Sequence, residues 1–233
     1  TRLLAHRSGS ASYTFLTCTS GNISDDEFRL TGNGTGYADS SWAGGGADYA
    51  EYFEWSDGNP SSEDRRGVSV LLVGDKIRPA LSGETPVGVI SGNPAVVGDS
   101  AWNKWAGKYT RDDFGTYILE EYTVTEWEAQ EVNDDGDTVT VKKSFESDKI
   151  PASETAPADA TVISVDDDGE TLMRRTLNAS YDSTSTYVSR EDRKEWDMVG
   201  LMGKLRIRTG QPVDSRWIKM RDVSDIVEEW LVK

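Results

Sequence analysis

A mainly β fold is what this sequence predicts, on three observations. Apolar and β-branched residues come in short runs with alternating or continuous patterning, not at helical spacing. The runs are separated by Gly, Asn and Asp in turn-forming combinations. Helical patterning is confined to two short stretches, so few helices are expected, the clearest of them at the C-terminus.

In chain order, Tyr13-Thr14-Phe15-Leu16-Thr17 and Glu27-Phe28-Arg29-Leu30 read as short strands joined by Gly/Asn turns. Residues 1–47 are rich in Ser, Thr and Gly, and a piece of this size buries no core of its own. It closes on Ser40-Ser41-Trp42-Ala43-Gly44-Gly45-Gly46, a glycine linker. Two readings stand: an unstructured leader, or the end of a longer repetitive β-stalk. Such stalks are often trimeric, because a short strand pair can complete its core against copies of itself.

From residue 48 the chain reads as one β-rich globular domain, 48–233. Val68–Val73 is a buried-strand run turning at Gly74-Asp75. Lys76–Ala80 continues as a strand whose Pro79 marks an edge or an end. Pro86–Ser91 is a further strand, closed by Gly92-Asn93-Pro94. Two hairpins are expected next: Glu121–Trp127 with Thr138–Lys142 across residues 133–137, and Thr161–Val165 with Thr171–Arg174 across Asp166–Gly169. Residues 147–160 read as an exposed loop. Ser100–Ala106 has the makings of one helical turn capped by Ser100. At the C-terminus Ser224 caps, Asp225 and Glu228 lie early, and Ile226, Val227, Trp230 and Leu231 form an apolar stripe, so a helix is expected there.

Composition excludes several functions. The 233 residues carry 41 acidic and 25 basic side chains, a net charge of −16, which is wrong for a protein led by phosphate contacts, so no nucleic-acid partner is expected. One His and one Cys, His6 and Cys18, are too few for a Cys/His zinc site, and Cys18 forms no intrachain disulfide. Any Ser-His-Asp triad would depend on His6 alone. No apolar run approaches the roughly 20 residues of a membrane span, so no membrane partner is expected. The opening residues carry no signal-peptide pattern. The charge is uneven: almost all of the excess negative charge lies from Asp48 onward.

The acidic turns at Asp134, Asp135 and Asp137 and at Asp166–Asp168 invite a calcium reading, but their spacing does not fit an EF-hand loop, and Asp-Gly is ordinary hairpin chemistry. Eight tryptophans in a β-rich chain can line a sugar groove, but large aromatics more often fill cores and interfaces. One segment stands apart. Gly44-Gly45-Gly46-Ala47-Asp48-Tyr49-Ala50-Glu51-Tyr52-Phe53-Glu54-Trp55 runs from flexible glycines into an acidic and aromatic cluster. Small residues at 46 and 47 leave the Ala47–Asp48 peptide open to attack, and Asp48 and Glu51 at this spacing are expected to place two carboxylates near that one bond. The plain reading is a linker and an amphipathic strand, with Tyr49, Glu51 and Phe53 on one face and Ala50, Tyr52 and Glu54 on the other.

Gly46–Trp55 resembles the opening motif of the autoproteolytic intramolecular-chaperone domain of bacteriophage tail spikes and neck appendages, a family classed as glutamic-type self-cleaving peptidases. Further stretches match in order: Asp75–Ala80, Val87–Pro94, Gly107–Gly115 and Tyr187–Gly203. The resemblance runs from about residue 46 to 210, and Asn33–Asp39 looks like the last stalk turn leading into such a domain.

The resemblance implies a module at the C-terminal end of a trimeric spike or fibre. It brings three chains into register and then cuts itself off, in cis and once per chain. It implies a virion tail precursor assembled in the host cytoplasm, partnered by its own upstream stalk, with a host-surface glycan as a partner of the upstream spike. By similarity the scissile bond is Ala47–Asp48 and Glu51 is the catalytic carboxylate, attacking the Ala47 carbonyl directly or activating water. Asp48 is the nearest proton donor for the leaving amine. A raised carboxyl pKa is required, from burial or from acidic neighbours such as Glu54. Asn93, Arg111, Arg190 and Arg193 lie in matched motifs and are candidates to steady the oxyanion, beside backbone N–H groups. Some relatives carry Ser where this chain has Ala47, which closes any route through that hydroxyl. No cofactor or metal is expected. Some relatives bind a nucleotide, but no Gly-x-x-x-x-Gly-Lys loop is present here. A non-cleaving trimerisation or tip module that binds a sugar is the alternative.

Overall fold

The structure is a computed structural model that describes residues 3–5, 9, 11, 13–21, 25–101, 107–133 and 136–233. It forms two compact units, Thr1–Trp42 with Gly107–Tyr181, and Ala43–Ala106 with Asp182–Lys233. Their regular structure is almost wholly strand, as the sequence predicts. Among the described residues the helical content is one 3-10 turn, Arg190–Asp192. Among the described residues, no helix is long and apolar enough to cross a membrane.

In the first unit, β1 (Thr14–Ser20), β2 (Asp25–Thr31) and β3 (Gly36–Ala38) form an antiparallel sheet in that order. β9 (Leu119–Glu121) pairs with β13 (Met173–Arg175), and β10 (Val124–Val132) lies between β11 (Thr138–Glu146) and β12 (Thr161–Ile163). The first expected hairpin is present: β10 and β11 pair from Val124–Glu146 to Val132–Thr138. The second is not a continuous hairpin. Only Val165 and Thr171 bridge next to its turn, where the Asp166 carboxylate accepts the N–H groups of Asp168 and Glu170. Beyond that bridge the arms part, β12 to β10 and β13 to β9. Separation lets Leu172 and the half-buried Ile163 join one core with Tyr122 and Val124, and lets Arg174 reach Glu120, Glu146 and Asp148. Residues 147–160 form a largely exposed loop.

In the second unit, β4 (Asp48–Trp55), β5 (Ser69–Val73), β6 (Lys76–Pro79), β7 (Gly88–Ile90), β8 (Val96–Gly98), β14 (Trp196–Arg208), β15 (Ile218–Ser224) and β16 (Val227–Val232) make one sheet in the order β15-β16-β14-β7-β5-β6-β4-β8. An additional β14–β4 pairing closes β4, β14, β7, β5 and β6 into a ring. Closure gives each of these strands a partner on both sides and encloses a core of Trp55, Val70, Ile77, Ile90 and Val199. A second cluster, Val89, Leu205, Ile207, Trp217 and Val232, packs on the far half of β14. Pro79 is the last residue of its strand, where its missing N–H costs no ladder bond. The buried Trp55, Trp127 and Trp217 are core residues, not the floor of a sugar groove.

The expected C-terminal helix is absent. Residues 218–232 form the β15–β16 hairpin, with β16 laid on β14 from Gly203–Val232 to Arg208–Val227. A helix of some ten residues is marginal alone, whereas the open flank of β14 offers a full ladder. The cross-strand pairs Lys219–Glu228 and Arg221–Glu229 and the β-branched Val223, Ile226, Val227 and Val232 favour the strand. The expected helical turn at Ser100–Ala106 lies mostly outside the described residues.

Candidate active site

The segment singled out in the sequence opens β4, and the Ala47–Asp48 peptide is the last link before that strand. Gly46 is pressed so closely to the 94–95 peptide that a Cβ there would sit 2.2 Å from the Pro94 carbonyl carbon. A glycine is therefore required for close approach. The Asp48 carbonyl accepts the Ala95 N–H at 2.8 Å, and β8 continues alongside β4 in parallel.

On the other side lies β14. Its pairing with β4 carries a bulge at Leu201, so that Gly200 stands opposite Ala50, Met202 opposite Tyr49 and Gly203 opposite Asp48. Bulges re-aim the residues that follow them. Here the result is that the Lys204 N–H points to the Ala47 carbonyl oxygen at 3.1 Å. A donor on that oxygen is what an oxyanion would need.

The bond straddles a boundary. Ala47 is exposed, while Asp48 is only 6% exposed. Asp48 Oδ1 accepts the Ser91 hydroxyl at 3.1 Å, and Oδ2 is buried with no hydrogen-bond partner. Burial pushes the Asp48 carboxyl above its ordinary pKa, and the Ser91 hydrogen bond pulls it partly back. Ala47, Asp48, Ser91, Asn93 and Lys204 line one cleft of about 1200 Å³, to which Arg66, Arg206 and Arg208 add positive charge.

Of the other sequence-predicted residues of this unit, Asn93 lines this cleft and Glu51, Glu54, Arg190 and Arg193 do not. Glu51 is on the opposite face of β4 from Asp48, since side chains alternate along a strand, and three residues separate them by roughly 10 Å. Its carboxylate takes the Tyr49 hydroxyl, and Gly98 leaves room for the pair: a Cβ there would lie 2.8 Å from the Tyr49 oxygen. Glu54 is ion-paired with Lys76 at 2.7 Å, near the far end of the strand. Asn93 lines the cleft and gives its N–H to Ser91 Oγ at 3.3 Å. Arg190 is ion-paired with Asp99 and stacks on Trp196, and Arg193 lies over the same ring. Trp196 pairs with Glu54, well along the strand from the bond. Arg111 belongs to the first unit, where it holds the Gly115 carbonyl and the Tyr117 hydroxyl.

Sequence reasoning missed Ser91, Gly203 and the Lys204 N–H. A backbone donor carries no residue signature. The available signals were indirect: Ser91 and Gly203 both lie in stretches already singled out, and Gly203 is a glycine inside a long strand, where a bulge or close approach is expected.

The chain is similar to several known phage proteins. The chain is 32% identical over 168 residues to the pre-neck appendage protein of Bacillus phage B103, covering 72% of this chain and 14% of that protein. It is 31% identical over 188 residues to the phage-related protein YobO of Bacillus subtilis strain 168, covering 79% and 18% respectively. It thus spans less than a fifth of the length of these curated relatives. In fold it is like the crystal structure of the pre-mature bacteriophage phi29 gene product 12, with a TM-score of 0.58 at 23% identity over 89% of this chain and 24% of that one. The Peptidase_G2 profile, described as the IMC autoproteolytic cleavage domain, matches residues 9–229, and the chain belongs to that family.

Proposed function

We propose that this chain is the self-cleaving intramolecular chaperone of a phage neck appendage or tail spike, and that its Ala47–Asp48 bond is cut once, within an assembly of its own copies. The observation that carries this is the environment of that one peptide. A backbone N–H already sits on its carbonyl oxygen, and the carboxyl next to its nitrogen is buried with a raised pKa. Asp48 is then protonated where an exposed aspartate would not be, and it supplies the proton that the leaving amine needs. A Glu51 carboxylate, carried over from the family resemblance, activates the attacking water. The β4 geometry keeps the Glu51 of the same chain on the far face, so in place of the action in cis that the resemblance implies we assign the Glu51 that serves a given bond to another copy in a trimer.

The chaperone role follows from the cut. Weak stalk strands face a costly problem of registering three chains. A compact module that trimerises first raises the effective concentration of the stalk ends. Removing it afterwards leaves the stalk kinetically trapped. The whole particle protein is accordingly a virion appendage precursor assembled in the host cell, with residues 48–233 released.

A denaturing gel of freshly folded protein tests the reading. Fragments spanning residues 1–47 and 48–233 are expected for the wild type and are absent from Glu51→Gln. Light scattering that shows a monomer at high concentration would remove the chaperone account.

A further inference from the structure

The Asp48 carboxyl is held by one group. Ser91 is itself only 5% exposed and is pinned by its own N–H to the Met198 carbonyl at 2.8 Å. Its Oγ accepts the Asn93 N–H at 3.3 Å and is placed 3.1 Å from Asp48 Oδ1. A hydroxyl has one hydrogen to give. With the Asn93 N–H occupying a lone pair, that hydrogen goes to Oδ1, which leaves the acid proton of Asp48 on Oδ2. Oδ2 is the buried oxygen with no hydrogen-bond partner, backed by Gly200, where a Cβ would stand only 2.8 Å away.

We propose that Ser91 is a positioning residue for self-cleavage: its hydroxyl, oriented by the Asn93 N–H, turns the Asp48 carboxyl so that the Oδ2 proton is the one delivered to the Asp48 nitrogen. The step balances. Water bonds to the Ala47 carbonyl carbon and gives a proton to a Glu51 carboxylate. The Ala47 C–N bond breaks, and the departing nitrogen takes the Oδ2 proton. This rests on the reading of Ala47–Asp48 as the bond that is cut.

Because the protonated acid is the acting form, cutting is lost as pH rises through the Asp48 pKa. Ser91 lowers that pKa against the effect of burial. Removing the hydroxyl therefore moves the upper limb of the pH–rate profile to higher pH, even as the rate falls. The β4–β14 pairing presents uncharged Gly200 and Gly203 to Asp48, with the Leu205 side chain close beside Gly200. Charge in the same cleft comes from Lys204, Arg206 and Arg208 of β14 and from Asp64 and Arg66. The β15–β16 hairpin adds Asp225 and Glu229. All of these are unchanged by the substitution.

The test is the rate of fragment appearance from pH 4 to 8 in wild type, Ser91→Ala and Ser91→Thr, with near-ultraviolet circular dichroism as the check on folding. Ser91→Ala should cut on the order of 10²-fold more slowly at its plateau, with its upper limb moved up. Ser91→Thr, which keeps a hydroxyl, should recover most of the rate and the original limb. In the uncut Glu51→Gln chain, the Asp48 carboxyl carbon, followed by NMR, should titrate at higher pH once Ser91→Ala is added, a readout that needs no turnover. A rate within twofold of wild type overturns the proposal, and so does a slower variant with an unmoved limb and an unmoved titration. A wild-type chain that never cuts overturns the self-cleavage reading itself, whereas a cutting wild type with a normal Ser91→Ala overturns the positioning role alone.

Discussion

Gly203 stands directly across the β4–β14 ladder from Asp48 at a φ of +118°, and a Cβ at that position would lie 2.5 Å from the Ala47 carbonyl oxygen. Only a residue without a side chain lets the next N–H, that of Lys204, close on that oxygen. Gly203→Ala should therefore displace the scissile carbonyl from its donor. Self-cleavage should fall by about 10²-fold or more, the usual cost of losing an oxyanion donor. Backbone strain should cost about 1–3 kcal/mol of stability. Fragment yield on a gel and a urea midpoint read the two effects separately.

Asp48→Asn gives a second prediction, whose sign follows from the raised pKa. The folded state holds a proton on Asp48 over a pH range in which the unfolded chain has released it. Stability from this group is thus lost as pH rises from the ordinary carboxylate range through the raised value. Asparagine removes that loss. In a Glu51→Gln background, where neither protein is cut, Asp48→Asn should be the more stable above this window, by on the order of 1 kcal/mol. The difference should vanish below about pH 4. Denaturant midpoints at pH 4 and pH 8 check it, and the variant should not cut at either pH.

Trp55 anchors the ring of strands that carries the site. It is 1% exposed, its indole N–H donates to Asp197 at 2.8 Å, and the Arg65 guanidinium lies 4.4 Å from its ring centroid. Trp55→Ala should cost about 3–5 kcal/mol. Trp55→Phe should cost less, since it keeps most of the buried ring and loses the Asp197 bond. Asp197 is half-buried, and desolvation raises its pKa while the Trp55 N–H holds it down, so the Phe variant should suffer more at pH 8 than at pH 4. Thermal midpoints at the two pH values report this.

Much of this was legible in the sequence, and the exceptions share a cause. Strand patterning located β4, β5, β6 and the β10–β11 hairpin, because alternation and Asp-Gly turns are local signals. The alternation of Tyr49, Glu51 and Phe53 against Ala50, Tyr52 and Glu54 was also readable, and it places Asp48 and Glu51 on opposite faces. The C-terminal residues Ile226, Val227, Trp230 and Leu231 match a helical stripe, but an open strand flank on β14 decides their state, and that flank is a tertiary feature. The arms after Asp166 part for the same reason, each being claimed by a strand distant in sequence. At the site, Asp48 could be read from its motif, whereas the Lys204 N–H and the Ser91 contact exist only once β14 and the 91–95 segment close around it.

The opposite-face placement of Glu51 has a consequence for catalysis in mixed assemblies. Chains of Glu51→Gln and of wild type, tagged differently, co-expressed and purified through both tags, should yield hybrids in which the Glu51→Gln chain is cut at its own Ala47–Asp48 bond by a neighbour's carboxylate. Cutting confined to the wild-type chains would instead show that each chain acts in cis, through an opening of the start of β4. Tag-specific blots distinguish the two patterns.

The most direct test of the central claim is the intact mass, with the N-terminal residue of the large fragment, of freshly folded wild-type protein. The account predicts two species, residues 1–47 and residues 48–233, the larger beginning at Asp48, with Glu51→Gln whole under the same conditions. A wild-type chain that stays whole as a folded oligomer for days at every pH between about 5 and 8, or one cut at another bond, would contradict it.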